Sequence, residues 1–202
     1  MISKIKAIIL CFMQIYWRHK FSKRAVIKGR VYFGRHSRIE LSGGSCKEDV
    51  EIGDNVKLYG SIVSHGGGKI VVEDCVHLGP FSVIGAVKSV HVKKYAMIST
   101  GVHVIDNNNH PVHPDERRMI NEAGPNTSLK GWQYSTSSPV VIGENVWLGR
   151  GTSVLKGVEV GDDSVVASSA VVTKDVPVGV IVAGNPARVV KTNIYDERKL
   201  FC

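Results

Sequence analysis

Hydrophobic positions in the second half of the chain recur every six residues. Ile142, Leu148, Val154, Val160, Val166, Val172 and Val178 form an unbroken series. Four residues after each of the first six stand Val146, Thr152, Val158, Ser164, Ala170 and Val176, all small or β-branched. Directly after the series positions come Gly143, Gly149, Leu155, Gly161, Ala167 and Thr173, mostly small. A helix cannot keep such a series on one face, because six residues turn it by about 240°. A flat strand alternates with period two and has no use for the recurring glycine. Period six fits a triangular coil of three short strands, each about six residues with its corner, the apolar residue inward and the small one near the corner. Stacked coils pair their strands in parallel and bury a continuous aliphatic core. Weaker stretches of the pattern lie upstream: Ile27, Phe33 and Ile39; Ile52 and Leu58; Val72, Leu78 and Ile84; Val92, Ile98 and Val104. The breaks between them read as residues inserted at corners. Gly43-Gly44 and Gly66-Gly67-Gly68 fall inside two of these breaks, as turn chemistry expects. The pattern predicts an all-β solenoid over residues 26–190.

Three segments leave this pattern. Between Val104 and Ile142 no repeat position occurs, and the stretch holds Asn107-Asn108-Asn109, Pro111, Pro114, Gly124-Pro125, Gly131 and Ser137-Ser138-Pro139. An extruded loop of this length, 105–139, read here as structureless, is usually functional. After Pro186 the repeat is lost, and residues 191–202 read as a tail or short helix. At the other end, Ala7–Met13 is apolar but bounded by Lys6 and Gln14. That is far short of the ~20 apolar residues of a membrane span, and it lacks the small-residue cleavage site of a signal peptide. Residues 1–25 therefore read as a basic amphipathic helix carrying Ile5, Ile8, Ile9, Phe12, Ile15 and Tyr16. It packs on the domain or a neighbouring subunit, or lies on an anionic membrane surface.

Charge sharpens this division. The net charge is +8, yet residues 1–39 hold ten Lys/Arg and no acid, while the rest of the chain holds 16 basic and 18 acidic residues. A basic head thus sits on a near-neutral body. No recognition motif follows the basic stretch, so nucleic acid is not an expected partner. With 43% hydrophobic and 22% charged residues the chain is an ordinary globular one. Cys11, Cys46, Cys75 and Cys202 are scattered without a CxxC pair, which argues against a zinc ribbon or dithiol site and for reduced thiols in a cytoplasm.

The stretch PVVIGENVWLGRGTSVLKGVEVGDDSVVASSAVVTKDVPVGVIVAGNPARVVK, residues 139–191, resembles the hexapeptide-repeat acyltransferases, and VVTKDVPVGVIVAGNPARVV is its most specific part. HPVHPDERR, starting at His110, is similar to the loop of the galactoside and maltose O-acetyltransferase branch. The resemblance covers residues 90–191 well and 25–90 only through the repeat. It implies a left-handed parallel β-helix, a homotrimer with each active site between two subunits, and acetyl-CoA as cosubstrate with no metal required.

Acyl transfer to a hydroxyl needs a base, donors for the developing oxyanion and a coenzyme surface. Imidazole suits the base role because it titrates near neutrality. Of eight histidines, His110 stands six residues after Val104, with Pro111 restricting its backbone; by resemblance it matches the catalytic histidine. Asp106 or a backbone carbonyl would orient its ring. The resemblance also assigns Trp147 to the border of the pantetheine tunnel and the backbone N–H around Gly149–Arg150 to the thioester oxygen. It places Ser168 beside the coenzyme, and Thr173, Lys174, Arg188 and Lys191 at its contacts; cations there suit phosphates. Arg150 and Ser168 depart from the small residue and the alanine usual at those positions. A further departure is the lack of an asparagine in Phe81–Gly85, where the galactoside branch binds sugar. Acceptor candidates in the loop are His113, Asp115, Arg117, Trp132 and Tyr134; Glu116 and Arg118 lie beside them.

The expected activity is transfer of an acetyl group to a sugar hydroxyl in surface polysaccharide (capsule, O-antigen or exopolysaccharide) or its lipid-linked precursor, in the cytoplasm, with peripheral membrane contact through residues 1–25. Acetylation of a small soluble acceptor, such as a galactoside, antibiotic or amino sugar, is the alternative, and a non-catalytic scaffold is the alternative of another class. A zinc-bearing solenoid is disfavoured, because His110 and His113 do not reproduce a three-histidine ligand set.

Overall fold

In the computed structural model, residues 2–125 and 127–200 are described, with side chains from Cys11 onward; Cys202 lies outside the described residues. The chain winds into coils whose strands stack in three sheets of six, eight and six strands. All pairings are parallel except the last. This is a left-handed parallel β-helix with an N-terminal helix and one further helix.

The sixfold repeat has a direct structural meaning. In the first sheet Ile27, Ile52, Val72, Val92, Ile142 and Val160 stack in register. In the second, Phe33, Leu58, Leu78, Ile98, Leu148, Val166 and Val182 do so. In the third, Ile39, Ile62, Ile84, Val104, Val154 and Val172 do so. All but Ile27 are buried, each such side chain being worth about 1.5–3 kcal/mol. Val146, Thr152, Val158, Ser164, Ala170 and Val176 are buried as well. Thr152 and Ser164 satisfy their hydroxyls on the carbonyls of Gly149 and Gly161.

Two positions differ from the sequence reading for one reason. Ile62, four residues after Leu58, takes the third-sheet place. Likewise Val176, four residues after Val172, bridges to Val160, which puts Val182 under Leu148 and Val166. Shortening a corner by two residues keeps a strand's inward side inward, so the ladder survives while the count of six slips. Val178, expected inside, is consequently 58% exposed.

The N-terminal helix α1 spans Ile2–Phe21. It contains no Gly or Pro, and Arg18, His19 and Lys20 stand in its last turn, where cations favour the dipole. It lies against the first strand of the second sheet. The Gln14 amide donates to the Phe33 carbonyl and accepts the Phe33 N–H, both at 2.8 Å. Phe21 stacks on Trp17 at 5.3 Å and meets Phe33 at 5.0 Å. Beyond Pro186, where a tail or short helix was expected, Arg188–Lys191 forms a strand antiparallel to Ile181–Ala183, followed by a 3-10 turn at Ile194–Asp196.

Candidate functional site

The long excursion leaves the third sheet after strand His103–Ile105 and returns before Val140–Ile142. Its root is a polar seam. Asp106 is fully buried. Its carboxylate accepts the Val87 N–H at 2.9 and 3.0 Å, the Lys88 N–H at 2.6 Å and the Asn107 amide at 3.1 Å. Its carbonyl accepts the Ser138 N–H at 2.8 Å. Asn107 pairs antiparallel with Ser137, and the Asn108 N–H donates to the Thr136 carbonyl at 3.1 Å. The Asn107 side-chain oxygen accepts the Asn109 N–H at 2.7 Å and the Ser135 hydroxyl at 3.3 Å. Outgoing and incoming chains are thereby zipped together, and Asn109 turns at φ 63°, a left-handed conformation that asparagine tolerates. Asp106 is committed to this seam and does not orient the imidazole of His110.

His110 follows the turn at once. Its N–H donates to the Asn108 carbonyl at 2.7 Å, and its imidazole is exposed. The stretch read as structureless then forms a helix, α2, over Pro114–Glu122. Proline at the first helical position and Asp115 and Glu116 in the first turn favour that start. His113 is its N-cap, the ring Nδ1 accepting the Asp115 N–H at 3.3 Å. Asp115 pairs with Arg118 at 2.9 Å. Arg117 folds back to the Val112 carbonyl and joins His110, Ile120 and Asn121 around a shallow cavity of about 100 Å³. Beyond Ile120 lies a more apolar cavity of about 250 Å³, walled by Pro111, Glu116, Met119, Leu129 and Tyr134.

Trp132 is used differently from Tyr134. A Cβ on Gly85 would come within 2.9 Å of the Trp132 ring. The indole thus covers the third-sheet strand at Gly85. The neighbouring Gln133 bonds to His65 Nε2, whose Nδ1 meets the Ser42 hydroxyl at 2.8 Å. The sequence gives no sign of the parts played by His65, Gln133 and Ser135: His65 stands far upstream of the loop, and Gln133 and Ser135 are marked only by lying near its end.

The coenzyme candidates are spread along the second sheet from Trp147 to Lys191, with Thr173 and Lys174 just after the last strand of the third, Val171–Val172. Trp147 is 49% exposed and its indole N–H donates to the Ser99 hydroxyl at 3.3 Å. It stacks between Met97 and Val165 on the outer face. His77 continues that row beside Met97; burial pushes its imidazole below the ordinary value, with Lys57 adding to the effect. The Gly149 N–H donates to the Val166 carbonyl at 2.8 Å, so it is spent in the coil. Arg150's N–H meets no backbone carbonyl among the described residues. A Cβ on Gly149 would approach the Ser168 nitrogen to 2.6 Å, so glycine there lets two coils close up. Lys174 and Arg188 line one cavity of about 240 Å³ with Asp175 and Val189, and Thr173 is exposed next to it. Lys191 pairs with Glu197. Strand Arg188–Lys191 lies three strands from Trp147 in the same sheet, roughly 15 Å away. Among the described residues, no hydrogen bond or shared cavity joins the His110 loop, on the third side of the prism, to Trp147, on the second.

Fold and repeat define a class, the hexapeptide transferases: the family model for bacterial transferase hexapeptide (six repeats) matches residues 139–174. The chain is 35% identical over 147 residues to a galactoside O-acetyltransferase of Lactococcus lactis, covering 72% of this chain and 64% of that protein. It is 32% identical over 133 residues to WbbJ of Escherichia coli, named for O-acetyl transfer in lipopolysaccharide biosynthesis, covering 66% and 65%. The match therefore spans just under two thirds of these relatives' own length. A crystal structure of a variant of AntD, an N-acyltransferase from Bacillus cereus, with dTDP and coenzyme A, shares the fold at a TM-score of 0.66 and 18% identity, over 90% of this chain and 88% of that one. The chain belongs to the hexapeptide-repeat acetyltransferase family.

Proposed function

We propose that this protein transfers an acetyl group from acetyl-CoA to a sugar hydroxyl in surface polysaccharide or its lipid-linked precursor, in the cytoplasm, as a homotrimer. The observation that carries the reading is the placement of His110 at the root of a loop zipped by Asp106, on a chain whose second sheet presents Trp147 and the free Arg150 amide and whose last coils hold the Lys174–Arg188 cavity. These groups stand on different sides of one prism, so they meet only where the loop of one copy faces the second sheet of another.

The residues fit the donor. Lys174 and Arg188 offer cations to its phosphates. Trp147 provides an apolar wall, and Gly149 a close-packed surface. In the reaction, His110 takes the proton of the sugar hydroxyl as its oxygen bonds to the acetyl carbon. Arg150's N–H donates to the carbonyl oxygen as charge gathers on it. As the carbon–sulfur bond breaks, the His110 imidazolium returns the proton to the leaving sulfur. The likeness to enzymes named for galactoside and lipopolysaccharide O-acetylation supports a saccharide acceptor.

The test is thiol release from acetyl-CoA with free sugars, amino sugars, oligosaccharides and lipid-linked glycans, comparing wild type with His110→Ala. Acceptor-dependent release should fall by about 10²–10⁴-fold in the variant. Release that survives the substitution discards His110 as the base. Turnover only on small soluble acceptors replaces the polysaccharide reading.

A further inference from the structure

The exposed side of α1 is unaccounted for by the fold or by the proposed reaction. Its inner side is fixed: Gln14 is bonded twice to Phe33, Arg18 donates to the Gly29 carbonyl at 2.7 Å, and Trp17 and Phe21 pack on the first coil. The rotation of the helix about its axis is therefore set. On the side turned away, Phe12 is 68% exposed and Ile15 and Tyr16 60% each. Their spacing of three and four residues puts them on one helical face, and in the sequence that register runs back through Ile5, Ile8 and Ile9. Single exposed apolar residues need no explanation, but a stripe of them does.

Charge identifies what covers it. Residues 1–24 hold six Lys/Arg and no carboxylate. Of these, Arg18, Lys20, Lys23 and Arg24 pair with no carboxylate among the described residues. A second copy would set the same cations against themselves. A bilayer with anionic headgroups offers negative charge and apolar depth together. Twenty helical residues reach about 30 Å, the thickness of a bilayer core. Gln14 and Arg18, however, hold this helix to the body, and no described helix is long and apolar enough to cross a membrane. We infer that α1 is a membrane-docking element: it lies flat on an anionic bilayer, with Phe12, Ile15 and Tyr16 inserted among the headgroups and Lys20 and Lys23 at the phosphates.

The full-length chain is sedimented with vesicles of phosphatidylcholine alone and of phosphatidylcholine mixed with phosphatidylglycerol, at low and high salt. Wild type should sediment with the mixed vesicles and be released as salt rises. Phe12→Asp combined with Tyr16→Asp should weaken partitioning at least about tenfold, and Lys20→Gln and Lys23→Gln about fivefold each. All four side chains are exposed, and the Lys20 ammonium also lies over the Trp17 and Phe21 rings at 4.9 and 5.8 Å, so an unchanged melting temperature must accompany each variant. Absence of wild-type binding to the mixed vesicles overturns the inference, as does undiminished binding by the Phe12/Tyr16 variant. Lipid-free self-association that this variant abolishes would put a second copy on the face and overturn it equally.

Discussion

Removing the Asp106 carboxylate is the most informative perturbation of the loop. In Asp106→Ala the N–H groups of Val87 and Lys88 lose an acceptor that now binds them at 2.6–3.0 Å. Hydrogen bonds to a charged acceptor are worth about 1.5–3 kcal/mol each, and water reaching these partly exposed residues returns part of that. A local loss of about 2–4 kcal/mol follows, or roughly thirty- to a thousand-fold faster amide exchange at Val87 and Lys88. Native-state hydrogen exchange reads this residue by residue without requiring global unfolding. His110 lies four residues along the same chain, so looser anchoring should also cost about 10–100-fold in kcat/KM through misplacement, with its pH profile unmoved. Asp106→Asn, keeping one acceptor oxygen, should fall between. Unchanged exchange at Val87 and Lys88 in the alanine variant would refute the anchoring role. An altered pH profile of kcat/KM would show that the carboxylate acts on the imidazole after all.

Three further outcomes follow from the geometry. Gly149→Ala drives a Cβ to 2.6 Å from the Ser168 nitrogen, so it should destabilise the fold by about 1–3 kcal/mol and raise the KM for acetyl-CoA; an unchanged melting temperature and KM would contradict the close packing. Gly85→Ala pushes only on the Trp132 ring, so it should change the acceptor KM and leave the donor KM alone, which steady-state kinetics separates. Lys69, bonded to the nearly buried Asp49, holds that carboxyl below its ordinary 3.8. The folded form is then the weaker proton binder, so Asp49's contribution is complete above that value and is lost as pH falls through the folded one. Lys69→Met should flatten the acid limb of melting temperature against pH, and an identical limb would dismiss the pair.

The solenoid was legible because one inward residue per strand must be apolar, and Ile142 to Val172 never misses. Where a corner shortens, counting fails although packing does not, which is why Ile62 escaped notice and Val178 was placed inside. Helix α2 carried a readable start in Pro114, Asp115 and Glu116, obscured by its brevity and by the turn residues around it. His113, an acceptor-pocket candidate from the sequence, also caps that helix with its ring. Arg117 shares a cavity with His110, Trp132 packs on Gly85 and Lys191 meets Glu197. An aspartate such as Asp106 cannot be assigned from sequence, since its partners are amides eighteen and nineteen residues away whose sequence carries no mark.

The two ends of the prism have a consequence for solubility. A parallel solenoid exposes an unpaired strand at each end, and a second molecule could extend it coil by coil into a fibre. Here Phe21 and Ala25 close the first coil beneath α1. At the far end, strand Arg188–Lys191 runs backwards, presenting the wrong polarity for another parallel coil and bearing Arg188 and Lys191 on that rim. A repeat with no internal reason to stop is thus kept finite by two elements that do not share its period.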